Sequence, residues 1–418
     1  MALESPEIET RTHDGESFYG WFLVAIGTAI IVIVNGTFYS FGVFFKPLLS
    51  EFGWTRAELS GAVSLRLMAT GLFGILGGAI ADKLGAKWIV ALGVALLGLG
   101  YFLTSTVQNL WEMYLYLGLI SGIGMSVPYP AITSVVSRWF TRKRGLATGI
   151  ILSGYGIGQI LFPPLTAYLL PIFLWRKTFI ILGMIILFIA VPVSLFLKPP
   201  SAPKKSSVPA GSTGPTPLSK GDDIPWTMKE AVRSLPLWKI SMIYLLFSIS
   251  LQTVVVHLVP HATDIGIEPV SAALLLTIIG GCNAFGRITG GGISDIIGTK
   301  RALTISIIAP ALMLPAFMFI SNIYWLYVVA VLYGLGYGGL SAAVPKLASE
   351  YYGLHSLGTL LGIIQLGFAI GGAIGAPLTG YIFDVTNSYS PAFFLVAFLL
   401  VICFFIATSL RPPEKRKY

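Results

Sequence analysis

One arginine, Arg287, lies inside a long apolar stretch of the sequence, where a charged side chain is costly and needs a reason. Asn283 precedes it by four residues, so the amide and the guanidinium share one face if this stretch is helical. A guanidinium is planar and permanently charged, and it can hold a carboxylate through two parallel hydrogen bonds. We therefore expect Arg287 and Asn283 to bind an anionic carboxylate.

A second arginine, Arg66, also lies in an apolar stretch, and there we expect a structural charge that is paired elsewhere. No Asp or Glu is predicted deep inside any of these stretches. A carrier of sodium or of a metal cation would need such carboxylates, so the pattern argues against both and predicts no metal site.

One histidine and several aromatic residues are further candidates. His257 could titrate near neutral pH, or it could be a neutral buried histidine held by one hydrogen bond, and the sequence leaves both open. The aromatic candidates would line a cavity or pack between helices; they are Tyr39, Tyr129, Tyr333, Tyr337 and Phe368.

The elements that must position these residues are membrane spans. Hydrophobic residues make up 55% of the 418 residues and charged residues only 11%, which leaves too little polar surface for a water-soluble fold. About 20 apolar residues cross the hydrocarbon core as a helix. Twelve such runs are predicted, at 20–45, 58–81, 88–106, 111–137, 145–169, 176–197, 239–261, 270–293, 302–320, 323–345, 357–380 and 391–410.

The connecting segments predict the domain organisation and the orientation. The segment 198–238, rich in Pro, Ser, Gly and Lys, is typical of a flexible cytoplasmic linker between bundles at 20–197 and 239–410. Most Lys and Arg residues fall on the side that holds this linker, the N-terminus (1–19) and the basic tail (411–418), which is therefore expected to be cytoplasmic. This asymmetry explains the net charge of +9 without nucleic acid.

The sequence also contains an internal repeat. The segment from Gly78 to Lys87 resembles the segment from Gly291 to Lys300, with Asp82 matching Asp295. We call the separation of these two aspartates along the chain the repeat offset. Glycines of the fifth and eleventh runs match at the same offset. Two matches in one register, separated by six spans, predict parallel repeats related by an axis along the membrane normal.

This doubled element, G-x-x-x-D-x-x-G-x-K after spans two and eight, resembles the signature of the major facilitator superfamily. The resemblance covers the whole chain. It implies an all-α membrane protein with 12 transmembrane helices in two six-helix bundles related by pseudo-two-fold symmetry. It also implies that Asp82 and Asp295 are gating residues and not substrate ligands.

Two further segments are similar to the signatures of the monocarboxylate transporter family. They are Asp14-Gly15 with Tyr19-Gly20-Trp21 before span one, and Arg138-Trp139-Phe140 through Gly149 entering span five. The resemblance implies transport of lactate, pyruvate and similar acids with a proton, Arg287 as the carboxylate ligand, and Arg138 and Arg142 as additional gating residues. Two positions depart from the family pattern: Asn283 replaces an acidic residue, and Tyr39 takes the place of a lysine in span one.

The sequence as a whole predicts a monomeric proton-coupled carrier of a small monocarboxylate in a bacterial inner membrane. No cofactor is expected beyond the proton as coupling ion. The nearest alternative is an organic-anion exchanger of the oxalate and formate type. A transporter-fold nutrient sensor, an exporter of drug cations and a membrane enzyme are less favoured, the last because the spans carry no nucleophile with a base and no metal cluster.

Overall fold

Twelve long helical units, α1 to α12, make up the protein in the computed structural model. The structure describes residues 18–84, 86–140, 144–197, 228–353 and 357–413, without the side chains of 75–84, 137–138, 144–146, 228 and 357–359. The units are α1 (Phe18–Phe52), α2 (Arg56–Leu84), α3 (Ala86–Thr104), α4 (110–139), α5 (144–173), α6 (175–194), α7 (Leu235–Asp264), α8 (Pro269–Ile297), α9 (Thr299–Phe319), α10 (Ile323–Tyr352), α11 (Leu357–Thr386) and α12 (Ser390–Thr408). A short helix, Met228–Arg233, precedes α7.

Ten stretches of the described residues are long and apolar enough to cross a membrane. One of them, Ala147–Ser194, has 48 residues, about twice the length that a single crossing needs. Leu174 divides it, because its φ of 61° and ψ of 167° are not helical, and this gives α5 and α6. With α2 the number of spans is twelve, as the apolar runs predict. The helix continues past the predicted end of the fifth run at residue 169, up to Leu174.

The first span is interrupted at Ser40, between the helices Phe18–Tyr39 and Phe41–Phe52. Ser40 and Thr37 both turn their hydroxyls back onto the carbonyls of their own helix, at 3.0 Å. Such back-bonding competes with the backbone ladder and bends helices. The amide of Val43 then bonds only three residues back, to Ser40, at 3.0 Å. The interruption leaves α1 as two segments.

Helix pairing repeats between the two halves of the chain. In the first half α1 packs on α5, α2 on α4, and α3 on α6; in the second half α7 packs on α11, α8 on α10, and α9 on α12. Between the halves, α5 packs on α8 and α11 on α2. This arrangement is two six-helix bundles that meet along two equivalent seams, so the predicted fold class is confirmed.

Glycines let the paired helices approach closely at equivalent points of each bundle. A Cβ on Gly154 would lie 3.0 Å from the carbonyl oxygen of Thr28, and one on Gly367 would lie 2.7 Å from that of Ser241. Both residues of the second pair follow those of the first by the repeat offset. The relation recurs one turn later, for Gly158 against Val32 and for Gly371 against Leu245. These glycines therefore serve helix packing.

The two seams between the bundles follow the same symmetry. Ser64 Oγ of α2 donates to the carbonyl oxygen of Ala373 in α11 at 2.5 Å, and Thr277 Oγ1 of α8 donates to that of Ile160 in α5 at 3.1 Å. The two hydrogen bonds are again related by the repeat offset. The bundle boundaries at 20–197 and 239–410 stay predictions.

We expect Gly371→Ala to lower the melting temperature of the detergent-solubilised protein. The new methyl group would overlap the carbonyl of Leu245, and overpacking of this kind costs about 1–3 kcal/mol. Gly362→Ala is the matched control, because a Cβ at Gly362 on the same helix meets no other group within 4 Å. Equal melting temperatures for the two variants would contradict the packing assignment.

Candidate functional site

Arg287 projects from α8 with its guanidinium held in place by one neighbour. Its Nε donates to Oδ1 of Asn283, one turn earlier, at 3.1 Å. Asn283 is buried, with 2% of its surface exposed, whereas Arg287 is only partly buried. Among the described residues no hydrogen bond occupies the two terminal nitrogens, Nη1 and Nη2. The pair therefore presents a fixed cation with two free donors on one edge.

Tyrosines from both bundles are electrostatic neighbours of this guanidinium. Tyr244 of α7 and Tyr337 of α10 lie close enough to Arg287 to interact with it electrostatically, as do Tyr39 of α1 and Tyr155 of α5. Tyr129 of α4 is a further electrostatic neighbour. We call these five side chains the tyrosine cluster. The cation comes from the second bundle, while three of the five hydroxyls come from the first.

Aromatic contacts join members of the cluster to each other and to its walls. The rings of Tyr129 and Tyr155 meet at 6.1 Å between centroids, edge to face. Tyr244 packs on Phe368 at 5.0 Å and Tyr337 on Phe247 at 5.4 Å. The result is a site with rigid aromatic sides, hydroxyl groups and one guanidinium, which suits a small anion with an apolar part.

Sequence reasoning missed two members of the cluster, Tyr155 and Tyr244. Tyr155 had a signal, because it precedes Phe368, a predicted site residue, by the repeat offset. Tyr244 had none beyond its position in α7. Asn283, Arg287, Tyr39, Tyr129 and Tyr337 of the predicted set come together here, with Phe368 at the edge.

Two predicted site residues lie elsewhere. Tyr333 is fully buried, its hydroxyl is 3.0 Å from Ser250 Oγ, and its ring packs on Phe317 inside the second bundle. His257 lies nearer the end of α7, where its Nε2 is 2.8 Å from the carbonyl oxygen of Ala376. Neither side chain is an electrostatic neighbour of Arg287 among those that the structure describes.

The model of the Major Facilitator Superfamily matches residues 24–323 and 258–418, nearly the whole chain. The chain belongs to the major facilitator superfamily. Monocarboxylate transporter 13 of Rattus norvegicus is 30% identical over 397 residues, which cover 93% of this chain and 89% of the relative. The MFS-type transporter YhjX of Escherichia coli (strain K12) is 27% identical over 356 residues, 84% and 85% of the two chains.

The fold is shared with solved transporter structures. A bacterial homologue of the human lysosomal transporter Spinster, in an inward-facing and unoccupied conformation, superposes with a TM-score of 0.74 at 18% identity. The match covers 94% of this chain and 98% of that one. Within the superfamily the chain is monocarboxylate-transporter-like, an integral membrane transporter and not an enzyme.

In this transporter an ionic and aromatic cluster joins the bundles at the face where α1 ends, which we call the distal face. Arg56 Nη2 at the start of α2 is 3.1 Å from Oδ2 of Asp264 at the end of α7, and Lys46 Nζ of α1 is 2.7 Å from Oδ1 of the same carboxylate. Arg56 also bonds to the hydroxyl of Tyr389 and lies over the ring of Phe383, 3.7 Å from its centroid.

Asp384 of α11 adds a contact between the bundles at the distal face, because it binds backbone amides of the first bundle. Its carboxylate accepts from the amides of Arg56 at 2.9 Å and of Ala57 at 2.8 Å, so it caps the N-terminus of α2. We call Lys46, Arg56, Asp264, Asp384 and Tyr389 the distal lock. From the sequence, Asp264 and Asp384 could be placed only at helix ends. Their partners could not be predicted, because these residues come from the other bundle.

His257 lies beneath the distal lock. A carbonyl oxygen can only accept, so the contact with Ala376 places the imidazole proton on Nε2. Nδ1 then accepts from the hydroxyl of Tyr389 at 3.3 Å, and Ser60 Oγ of the first bundle is 3.3 Å from Nε2. His257 thus bonds within its own bundle and contacts Ser60 of the other.

We call the opposite face, where α1 begins, the terminal face. The hydrogen bonds and ion pairs that join Arg56, Ser60, Ser64, Thr277 and Lys46 to the other bundle lie between Arg287 and the distal face. Asp295, a predicted gating residue, pairs with Lys346 inside its own bundle. The side chains of Asp82 and Arg138, and Arg142 as a whole, lie outside the described residues.

We expect Arg56→Gln to open the distal face. The substitution removes the charge that Asp264, Tyr389 and Phe383 share, a loss of about 1–2 kcal/mol that corresponds to about 5–30-fold in the ratio of open to closed molecules. The measurement is thiol labelling of Ser60→Cys from the distal side. Glu268→Gln is the control, since Glu268 accepts only from Val270 and Ser271 of its own helix among the described residues. Unchanged labelling in Arg56→Gln would contradict the lock.

Proposed function

We propose that this transporter carries small monocarboxylates, of the lactate and pyruvate type, together with a proton, by alternating access of the site around Arg287. The observation that carries the proposal is the guanidinium of Arg287: its Nη1 and Nη2 have no hydrogen-bond partner among the described residues, and tyrosines of both bundles are its electrostatic neighbours. The names of the monocarboxylate transporter relatives support the same class of substrate.

The geometry at Arg287 favours a carboxylate over other anions. Asn283 uses Nε and so fixes the plane of the guanidinium, which leaves the two parallel terminal donors that match two carboxylate oxygens. Asn283 is neutral and does not cancel the charge. No carboxylate of the described residues pairs with Arg287, so the carboxylate of a monocarboxylate substrate would neutralise this charge.

The number of cations in the site favours one carboxylate per substrate. Arg287 is the one cationic side chain that acts as an electrostatic neighbour of Tyr129, Tyr155 and Tyr244 among the described residues. A dicarboxylate would bring a second negative charge into a site with no second cation near it, and burying an unpaired carboxylate is costly. A hydroxyl or keto group beside the carboxylate would instead meet tyrosine hydroxyls.

Substrate can favour closure because its contacts come from both bundles. Arg287 holds the carboxylate from the second bundle, and Tyr39, Tyr129 and Tyr155 approach from the first. A ligand shifts a conformational equilibrium only through contacts that differ between the states. Hydroxyls of the first bundle that reach the substrate only when the bundles meet provide that difference.

Charge balance is the reason to propose that a proton is carried with each anion. An anion that enters a cell alone works against the membrane potential by about 2.3 kcal/mol per 100 mV. One proton per monocarboxylate removes this cost. Both ring nitrogens of His257 already have partners, Tyr389 of the distal lock and the carbonyl of Ala376, and Asn283 cannot titrate. We therefore propose that the proton crosses with the substrate carboxyl group, as the acid or through bound water.

Organic-anion exchange is the second candidate, and the uncompensated Arg287 is what favours it. A carrier whose empty site keeps a buried charge changes conformation more easily when an anion neutralises it, which is the property of an exchanger. Uptake into proteoliposomes at clamped voltage, with a pH gradient or with internal substrate, separates the two. Accumulation driven by the pH gradient alone supports symport; dependence on internal substrate supports exchange.

The proposal includes the orientation in the membrane. Because Lys and Arg concentrate on the terminal face, that face and both termini are assigned to the cytoplasm of a bacterial cell, with the protein in the inner membrane as a monomer. With this orientation, the intact distal lock corresponds to an inward-facing carrier.

We expect Arg287→Lys to reduce carboxylate uptake at least about 100-fold, because lysine keeps the charge but loses the two-pronged fork. Initial rates of radiolabelled lactate uptake into proteoliposomes give the measurement, with melting temperature as the check on folding. Arg176→Lys is the control: this arginine binds Glu51 and the carbonyls of Ser105 and Val107, away from the tyrosine cluster. Normal uptake by Arg287→Lys would remove this residue from the site.

His257→Gln tests the route of the proton. A glutamine amide can still donate to the carbonyl of Ala376 but cannot carry a proton at neutral pH. We expect the variant to keep accumulating lactate when the distal side is acidified, within about threefold of the wild type. Loss of accumulation with intact exchange would instead make His257 the proton carrier.

A further inference from the structure

The proposed transport cycle does not involve Arg66, the other arginine inside a span. Its side chain is only 1% exposed, and no carboxylate of the described residues lies within ion-pair distance of it. It lies inside the first bundle. The described contacts of its guanidinium are a hydrogen bond and aromatic rings.

Arg66 begins a short relay of hydrogen bonds that ends on the backbone of α1. Its Nη1 donates to the hydroxyl of Tyr101 of α3 at 3.0 Å, and that hydroxyl donates to the carbonyl oxygen of Thr37 at 2.7 Å. The rings of Phe38 and Tyr101 lie near the guanidinium, at 5.2 and 5.3 Å. Nε and Nη2 have no hydrogen-bond partner in the described structure, so the aromatic faces help to stabilise the charge.

The relay has a fixed direction because an arginine can only donate. Tyr101 must use its oxygen to accept from Arg66, and its single hydrogen is then available for Thr37. A glutamine at position 66 could donate or accept, and Tyr101 would be free to turn away. Because Arg66 is permanently charged and can only donate, the Tyr101 hydroxyl of α3 donates its hydrogen to the Thr37 carbonyl of α1.

The point at which the relay reaches α1 lies next to the substrate site. Tyr101 binds Thr37, Arg66 lies near Phe38, and the next residue, Tyr39, is a member of the tyrosine cluster and an electrostatic neighbour of Arg287. The interruption of α1 follows at Ser40. Successive helical residues are about 100° apart, so a rotation of α1 by one residue would move Tyr39 away from Arg287.

We propose that Arg66 and Tyr101 are positioning residues for the substrate site: they hold α1 at its interruption so that Tyr39 faces Arg287. The inference rests on the proposed function of Arg287 as carboxylate ligand. Neither residue contacts substrate. Both act through Thr37, Phe38 and Tyr39.

Tyr101→Phe is the decisive variant, because it removes one hydroxyl and keeps the buried ring. We expect faster hydrogen exchange in the backbone of residues 36–44 of the purified protein without substrate. We also expect KM for lactate uptake to rise about fivefold while the maximal rate stays within about twofold. Arg66→Lys retains a donor and is expected to lie between Tyr101→Phe and the wild type, whereas Arg66→Met is expected to match or exceed Tyr101→Phe.

Tyr114→Phe is the matched control. Its hydroxyl also donates to a backbone carbonyl in the first bundle, that of Glu58, at 2.8 Å, but it does not bind α1. We expect unchanged exchange at 36–44 and unchanged KM. In a Tyr39→Phe background the effect of Tyr101→Phe on KM should shrink, since residues that act through one another are not additive.

Unchanged exchange at 36–44 in Tyr101→Phe, or faster exchange with an unchanged KM, would overturn the proposal. The exchange measurement uses no substrate, so it separates this inference from the proposed function. If the wild-type protein takes up no monocarboxylate, the proposed function fails, and the exchange data still decide whether Arg66 and Tyr101 hold α1.

Discussion

The structure depends on one constraint: a guanidinium inside a bilayer must be surrounded by groups that compensate for lost water. Two guanidinium groups lie inside the spans, and their surroundings differ. Arg66 is closed off between aromatic rings and a single tyrosine hydroxyl inside the first bundle. Arg287 is partly buried, is oriented by a neutral amide, and keeps its terminal donors free at the boundary between the bundles. The first arrangement suits a structural role, and the second leaves room for an anion.

The scaffold around these charges is symmetric, whereas the charges are not. Glycine contacts and inter-bundle hydrogen bonds recur at the repeat offset, so both seams have nearly the same geometry. At that offset Arg287 corresponds to Gly74 and Arg66 to Ile279. Equivalent seams allow the two bundles to move against each other as similar bodies. An asymmetric ligand needs asymmetric contacts: Arg287 is proposed to supply one directly, and Arg66 is proposed to act through α1.

The first helix connects the site with the distal lock. Its segment before Ser40 ends with Tyr39, in the tyrosine cluster, and its segment after Ser40 carries Phe45, which packs on His257, and Lys46, which pairs with Asp264. The interruption therefore lies between the place where substrate is proposed to bind and the place where the bundles close. A change in α1 at Ser40 would affect both the tyrosine cluster and the distal lock. Substrate binding can therefore be coupled to closure of the bundles without a separate signalling element.

The sequence by itself determined the membrane fold, the repeat and the arginine with its amide, because these are local: apolar length sets a span, a fixed offset shows a repeat, and four residues of spacing put Asn283 beside Arg287. It did not show that His257 lies beneath the distal lock, that Tyr333 is buried inside the second bundle, or that Tyr244 belongs to the site. Those outcomes depend on which face of a helix meets another helix, and a helix that is apolar all round carries no signal of its orientation. Only the packing of the two bundles decided that the lone charge of Arg287 would face hydroxyls of both.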